Sequence, residues 1–250
     1  MDSLRSKRLS GFGILGIVGL LIVTFGILFF NYLHSTSHAA LTSREIATRV
    51  LAEHLSKVLK PDKVLVISNP FSQMASKPPE VYQFENAGIN GLRDGFGSGV
   101  QVRIVFPRLK PEIITNPEAA AIDPRTKTPL SFLMTENAFS ELLSSNRDCA
   151  LVVSLIGLPL NLQTLPEWTK PGSPQFALLM PDWRMIGDSE SINASFQSGK
   201  IAAVVMRKPG APPDDQQPAK EMHVEFESRY LLVTKTNVKQ ALEAFGEEFR

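Results

Sequence analysis

Side chains suited to binding a ligand or a partner protein recur directly after apolar segments of the chain. The set consists of Asn69, Phe71, Arg108, Trp168, Asp182, Trp183 and Arg184. Aromatic rings of this kind stack on a sugar or anchor a protein interface, and guanidinium groups donate hydrogen bonds to anions and polar groups. Three interpretations stay open: a protein-partner site, a site for a small polar ligand, or tryptophans that only cover a sheet while the arginines are solvated.

The residues that would make the protein an enzyme do not form a recognisable pattern. After residue 62 the chain has one histidine, His223, and no G-x-S-x-G segment accompanies it. Cys149 is the single cysteine and begins an apolar run, which is typical of a buried thiol. In the glycine-rich stretch 95–99, the third glycine of a phosphate-binding loop would fall on Val100. We therefore expect no catalytic site, no metal and no cofactor.

The elements that must position the candidate residues alternate between strands and helices. Short apolar runs predict strands covered on both faces. These runs are 64–67, 100–106, 150–156, 176–180, 201–206 and 230–233. Helices are expected over 86–96, from Thr128 to about Ser145, from 188 or 189 to about 198, and after Asn237. This alternation predicts a three-layer α/β domain with a mainly parallel sheet.

The candidate residues share one expected location in such a sheet. Ligands bind beyond the carboxyl ends of the strands in doubly wound folds. The segments that leave those ends contain both tryptophans, Trp168 and Trp183, together with Arg108 and Arg184. The connections 107–128, 157–175 and 207–222 are long and proline-rich, and the last is expected to be a mobile surface loop.

Several segments resemble a known family. Residues 64–71 (VLVISNPF), a helix with Gly88 and Gly91, 102–106 (VRIVF) and 150–154 (ALVVS) are similar to the first lobe of type I periplasmic sugar-binding proteins. Residues 198–205 and 231–238 also resemble pieces of that family. The resemblance implies a Rossmann-like domain, and it implies that Asn69 and Phe71, in the turn after the first strand, help to hold a ligand. The family has two lobes and a hinge, and residues 62–250 are too few for both.

The start of the chain predicts a membrane anchor. From Phe12 to Leu33 there is no charged residue, and a helix of that length spans about 33 Å, enough for a bilayer core of roughly 30 Å. Arg5, Lys7 and Arg8 precede it and favour a cytoplasmic N-terminus. We expect an uncleaved, single-pass signal anchor in a bacterial cytoplasmic membrane, with the remaining chain in the periplasm. A cleaved signal peptide is the alternative.

An amphipathic helix is expected to connect the anchor with the domain. Thr42 and Glu45 fit a capping box at its start, and Pro61 follows its end at Lys60. Its apolar face either packs on the domain or forms a self-associating or partner-binding stalk. The expected organisation is a basic cytoplasmic tail (1–11), the anchor (12–33), the juxtamembrane helix (34–61) and the exported domain (62–250).

Composition limits the functional classes. The 250 residues include 26 lysines and arginines against 25 acidic residues, so bulk charge does not favour a nucleic-acid partner. We expect a non-catalytic interaction or accessory module of a membrane or envelope complex, tethered to the lipid bilayer. The alternative is a tethered module that binds or senses a small, sugar-like ligand.

Overall fold

The sheet has six strands, and adjacent strands are parallel except for the pair at one edge. The computed structural model describes residues 38–116, 121–170, 173–214 and 216–249. The strands are β1 (Lys63–Ile67), β2 (Gln101–Val105), β3 (Leu151–Ser154), β4 (Gln175–Leu179), β5 (Ile201–Arg207) and β6 (Tyr230–Thr234). Their order is β2-β1-β3-β4-β5-β6, and β6 runs antiparallel to β5. Each strand coincides with an apolar run, which confirms the prediction of a mainly parallel α/β sheet.

Helices cover both faces of this sheet and make the domain three-layered. Residues 38–59 form a helix, here α1. The others are α2 (Pro79–Phe96), α3 (Pro111–Thr115), α4 (Leu130–Leu133), α5 (Ala138–Ser145), α6 (Pro166–Thr169), α7 (Ser189–Gln197), α8 (Met222–Arg229) and α9 (Val238–Ala244). One apolar core joins the sheet to α1, α2 and α8, and a second joins it to α5, α6, α7 and α9. Both faces of the strands are therefore buried, as continuous apolar runs require.

Helix α1 packs on the sheet and runs opposite to the parallel strands. Ala47, Leu51 and Leu55 are buried in the same core as Val64 and Val66 of β1. Of the two uses foreseen for its apolar face, packing on the domain is therefore the one observed. The helix ends just before β1 begins, so its first described turn lies at the opposite end of the sheet, beside the carboxyl end of β1.

The expected start of this helix at Thr42 is wrong. Residues 38–41 are already helical, and the hydroxyl of Thr42 donates to the carbonyl oxygen of His38 at 3.0 Å. Thr42 thus lies inside the helix, where its side chain bonds back to the preceding turn. A capping box with Glu45 does not form, because that motif requires Thr42 to precede the first helical residue.

Two other predicted helices differ in extent from the observed ones. Helix α2 begins at Pro79, well before the expected residue 86. The single helix expected from Thr128 to about Ser145 is two, α4 and α5. Between them, Met134 pairs with Leu109 in an isolated antiparallel bridge, and this extended backbone interrupts the helix. Helix α7 follows its prediction, since the carboxylate of Asp188 caps it by accepting from the backbone N–H of Ser191 at 2.8 Å.

The segment 207–222 was expected to be a mobile loop, but its described residues after β5 are attached to α8 through a buried arginine. Arg229 donates to the carbonyl oxygen of Pro213 at 2.6 Å and to the carboxylate of Glu225. The same carboxylate accepts from the backbone N–H of Ala219 at 2.7 Å. Buried guanidinium and carboxylate groups need hydrogen-bond partners, and the loop supplies partners that α8 alone does not provide.

The expected membrane anchor, residues 12–33, and the expected basic tail lie outside the described residues. Within the described ranges, no helix combines the length and the apolar character needed to cross a bilayer.

Candidate binding site at the carboxyl edge of the sheet

The strand order creates a topological switch point between β1 and β3. From β1 the chain moves to β2 on one side, and from β2 it crosses to β3 on the other side of β1. In open α/β sheets of this kind, ligands bind outside the carboxyl ends of the strands near such a point. We call this end of the sheet the carboxyl edge. It is defined by the last residues of the parallel strands: Ile67, Val105, Ser154, Leu179 and Arg207.

A surface pocket opens at this edge beside the end of β1. Its volume is about 420 Å³, within the range of small-molecule sites. The first described turn of α1, the residue after Ser68, and the first turns of α2 surround it. The lining residues are Ala40, Leu41, Asn69, Glu80, Val81, Gln83, Phe84 and Glu85. The pocket thus combines an aromatic ring and aliphatic groups with amide and carboxylate groups.

Asn69 lines this pocket and carries a side-chain donor that its own contacts leave unused. Its side-chain oxygen accepts from the backbone N–H of Phe71 at 2.9 Å and thereby caps the 3-10 turn Pro70–Gln73. That bond fixes the orientation of the amide. Within the described part of the chain, the Nδ2 group of Asn69 has no acceptor, so it is available to a ligand.

A buried ionic network forms the inner wall of the pocket. Arg44 of α1 donates to one oxygen of Glu85 at 2.8 Å, and Ser68 donates to the other at 2.8 Å. Burial lowers the pKa of Arg44, although the charge of Glu85 opposes this change, and an arginine still remains protonated at neutral pH. The guanidinium carbon also lies 4.3 Å from the centroid of the Phe84 ring. Since both oxygens of Glu85 are engaged, this carboxylate holds the wall rather than a ligand.

A glycine makes room for that network. At Gly88 of α2, an added Cβ would lie 3.1 Å from the Nε atom of Arg44. An alanine at this position would therefore require the Arg44 side chain to shift by a few tenths of an ångström.

Asp182 and Arg184, two of the predicted site residues, are paired with each other. The guanidinium of Arg184 donates to the two oxygens of Asp182 at 2.9 and 2.6 Å and to Asp123 at 2.8 Å. Thr126 donates to Asp182 at 2.8 Å. We call Asp123, Thr126, Asp182 and Arg184 the loop-pairing cluster, because it joins the segment 121–128 to the segment after β4.

The electrostatics of this cluster favour its charged form. Burial opposes ionisation of Asp182, but the hydrogen bonds from Arg184 and Thr126 outweigh it and hold the pKa of that carboxyl below its ordinary value. The same contacts with Asp182 and Asp123 raise the pKa of Arg184. A guanidinium with three charge-assisted bonds inside the protein is poorly placed to hold a ligand, so the cluster is a structural connection.

The two tryptophans are buried and belong to the core. Trp183 stacks at 4.6 Å from the ring centroid of Phe249 and at 6.4 Å from that of Phe196. Trp168, in α6, lies 5.6 Å from Phe176. Its expected place at the carboxyl edge is wrong, because α6 has crossed to the start of β4, where Trp168 lines a cavity together with Lys200. Both rings therefore pack among other aromatic side chains of the core.

Phe71 and Arg108 lie at the carboxyl edge but outside the pocket. The ring of Phe71 packs on a small apolar cluster with Leu109 and Ile113, and the ammonium of Lys77 lies 4.9 Å from its centroid. Arg108 is exposed, with its nearest carboxylate, that of Glu141, at 3.8 Å. Asn69 is thus the predicted site residue that the structure places in the pocket.

The sequence reasoning missed the aromatic residue of the pocket, Phe84. Phe84 and Gln83 precede residue 86, where the helix was expected to begin, so neither was assigned to a helix face. The signal available in the sequence is Pro79, since proline is favoured in the first turn of a helix. A helix started there would have placed Phe84 near the end of β1.

A metal centre is not evident in the described residues. Among them, no three histidine, cysteine, aspartate or glutamate side chains come close enough together to hold an ion. Asp182, a predicted binding residue, accepts hydrogen bonds from Arg184 and Thr126.

Comparison with known proteins gives matches among solved structures alone. No protein-family model and no curated protein matches the chain. The chain is 12% identical to a carbohydrate transporter from Acidothermus cellulolyticus in complex with myo-inositol, with a TM-score of 0.44, over 83% of this chain and 62% of that one. The chain is also 12% identical to a sugar-binding protein of a sugar ABC transporter from Bacillus halodurans, with a TM-score of 0.44, over 79% of this chain and 64% of that one. It is 12% identical to a periplasmic solute-binding protein from Actinobacillus succinogenes with bound D-allose, with a TM-score of 0.43, over 79% of this chain and 61% of that one.

Sugar-binding and solute-binding proteins of transporters, the kind of protein that the sequence resembles, are thus among the similar solved structures. The chain spans about three fifths of the length of each of them.

Proposed function

We propose that the protein is a non-catalytic binding module that takes a small polar ligand in the pocket beside Asn69, while residues 12–33 tether it to a bacterial cytoplasmic membrane. The observation that carries this proposal is the pocket itself. It lies at the carboxyl end of β1, next to the switch point, and Asn69 offers it an oriented amide donor. Of the other predicted polar groups, Asp182 and Arg184 are paired with each other, and Arg108 is exposed outside the pocket.

The lining of the pocket favours a ligand with both hydroxyl groups and an apolar face. The ring of Phe84 and the side chains of Leu41 and Val81 offer apolar contact. Asn69 supplies a donor, and the exposed Glu80 supplies an acceptor for hydroxyl hydrogens. Cyclic polyols and monosaccharides have this chemistry. Myo-inositol and D-allose, named as ligands of two of the similar structures, are therefore suitable first probes.

The test uses the full chain, purified in mild detergent, and measures its thermal unfolding with and without each compound of a panel. The panel contains myo-inositol, hexoses, pentoses, amino acids and nucleosides. A compound that binds the folded state at 100 times its Kd stabilises it by about 2.7 kcal/mol, which raises Tm measurably. No rise in Tm with any of these compounds would refute the proposal.

Two variants locate the ligand. Asn69→Asp keeps the oxygen that caps the turn and removes the donor, so the folded state is retained and the ligand-dependent rise in Tm is lost. Arg108→Ala removes an exposed side chain of the same edge outside the pocket and should keep the full rise. If the ligand raises Tm by the same amount in both variants, the ligand binds elsewhere.

A second candidate function is that of an accessory subunit in a membrane or envelope complex. It is favoured by the direction of α1, whose first described turn borders the pocket, a few residues after the expected anchor. Tethering would then raise the effective concentration of the domain near a membrane partner. Purification from the native membrane tests it: a stoichiometric companion protein that persists through washing supports this function, and its absence contradicts it.

A further inference from the structure

The exposed apolar side chains of the domain are unevenly distributed. Among the described residues, the large hydrophobic side chains that are exposed are Val58, Tyr82, Phe84, Ile114, Leu160 and Val224. Tyr82 and Phe84 lie in the first turns of α2, Ile114 lies in α3 after β2, and Leu160 follows β3. These segments all leave the carboxyl ends of strands. Val58 lies at the opposite end of the sheet, where α1 ends before β1.

Phe84 lines the pocket, and Val224 lies in α8, which leads into β6. The remaining three side chains, Tyr82, Ile114 and Leu160, form what we call the edge patch. They are 55%, 58% and 48% exposed, although each is a large apolar or aromatic residue. All three lie on connections that leave the same edge of the sheet, and exposed apolar side chains that occur together at one end of a domain point to an interaction surface.

The length of chain before α1 limits what can cover this patch. Four residues, 34–37, separate the end of the apolar segment at Leu33 from His38, the first described residue of α1. Even fully extended, the five steps from 33 to 38 reach at most about 17 Å. Since the first turn of α1 borders Asn69, an anchor that ends at Leu33 would keep this part of the carboxyl edge close to the bilayer.

We infer that the carboxyl edge rests on the lipid bilayer and that Tyr82, Ile114 and Leu160 enter its interfacial layer. The inference goes beyond the proposed function, because these side chains do not line the pocket, and it rests on the expected anchor. Tyrosine is favoured at membrane interfaces, where its ring is apolar and its hydroxyl stays hydrated.

Charge on the same segments does not oppose this contact. Arg108 is exposed on the connection after β2 and suits anionic headgroups, while Glu112 and Glu136 are exposed nearby. Charges of both signs are therefore present, so the contact depends on insertion of the apolar side chains rather than on net charge. The contact is expected with zwitterionic lipid as well as with anionic lipid.

Site-specific fluorescence tests this inference on the full chain reconstituted in phosphatidylcholine vesicles. Cys149 is the single cysteine and is buried, so a Cys149→Ser background carries one label at a time. Labels are introduced through Tyr82→Cys, Ile114→Cys and Leu160→Cys. The matched control is Val58→Cys, which is equally apolar and 62% exposed, at the far end of the sheet.

The expected result is a blue-shifted emission at the three patch positions and a loss of their fluorescence when the lipids carry a nitroxide near the headgroup. The label at position 58 should keep its emission in both lipids. Equal quenching at all four positions, or none at any, would overturn the inference. A blue shift without nitroxide quenching that depends on the protein-to-lipid ratio would also overturn it, because a second copy of the chain would then cover the patch. Failure of the protein to float with the vesicles would overturn it as well, because the expected anchor would then be absent.

Discussion

The buried pair between Arg44 and Glu85 offers the sharpest test of how α1 is held beside the pocket. Glu85→Gln removes the negative charge while it preserves the size of the side chain. The two side chains are 9% and 7% exposed, so solvent cannot replace the lost partner. An isolated charge in such a place is costly, and removal of one partner of a buried pair destabilises a protein by about 3–5 kcal/mol.

The lower end of this range applies here. Glutamine retains a carbonyl oxygen for Arg44 or Ser68, although not for both, so we expect a loss of about 3 kcal/mol. For a protein of this size each kcal/mol lowers Tm by about 2–4 °C, which predicts a decrease of about 6–12 °C. The double variant Arg44→Met with Glu85→Leu replaces both charges, leaves the hydroxyl of Ser68 without its acceptor, and should cost only about 1–2 kcal/mol.

Thermal and urea unfolding of the full chain in mild detergent, followed by circular dichroism, measures these differences. The matched control is Glu53→Gln in the same helix, where the pair with Arg49 is 23% and 43% exposed. An exposed pair of this kind contributes about 0.5 kcal/mol or less. A loss of stability for Glu85→Gln no larger than that for Glu53→Gln would contradict the assigned role of the buried pair. So would a double variant that is less stable than Glu85→Gln alone.

Two further predictions concern the packing of α2 and the loop-pairing cluster. A Cβ added at Gly91 would lie 2.2 Å from the backbone oxygen of Glu45, so Gly91→Ala should force α1 and α2 apart and lower the unfolding free energy by about 1–3 kcal/mol. Gly99→Ala, where nothing lies within 4 Å, should cost far less in the same urea titration. Because the folded pKa of Asp182 is lowered, its stabilisation is complete above about pH 4 and is lost as the pH falls through the folded pKa. Asp182→Asn should flatten this part of the stability–pH profile, and an unchanged profile would contradict the assigned pairing.

The sheet could be predicted from the sequence because burial on both faces leaves a direct signal. All four residues of β3 are buried, and so are four of the five residues in both β1 and β4, which gives continuous apolar runs. Their alternation with helices then restricts the topology to a mainly parallel sheet. The location of Asn69 follows from the same logic, since it comes directly after β1.

The remainder of the edge could not be predicted, because its contacts join residues that are distant in sequence. Arg184 bonds to Asp123 across 61 positions, and neither residue shows a local pattern that announces the other. Trp168 was expected at the carboxyl edge because it lies on a long connection after β3. The path of such a connection over the domain is decided by packing, and here it ends on Phe176 near the start of β4.

Hydrogen–deuterium exchange of the full chain, with and without the panel compound that raises Tm most, shows whether a ligand occupies the pocket beside Asn69. Binding in the pocket predicts slower exchange in the turn Pro70–Gln73 and in the first turns of α2, with little change around Lys200 at the opposite edge of the sheet. Protection confined to the cavity that Trp168 and Lys200 line, or absent from both edges, would contradict the assignment of the binding site to the pocket of Asn69.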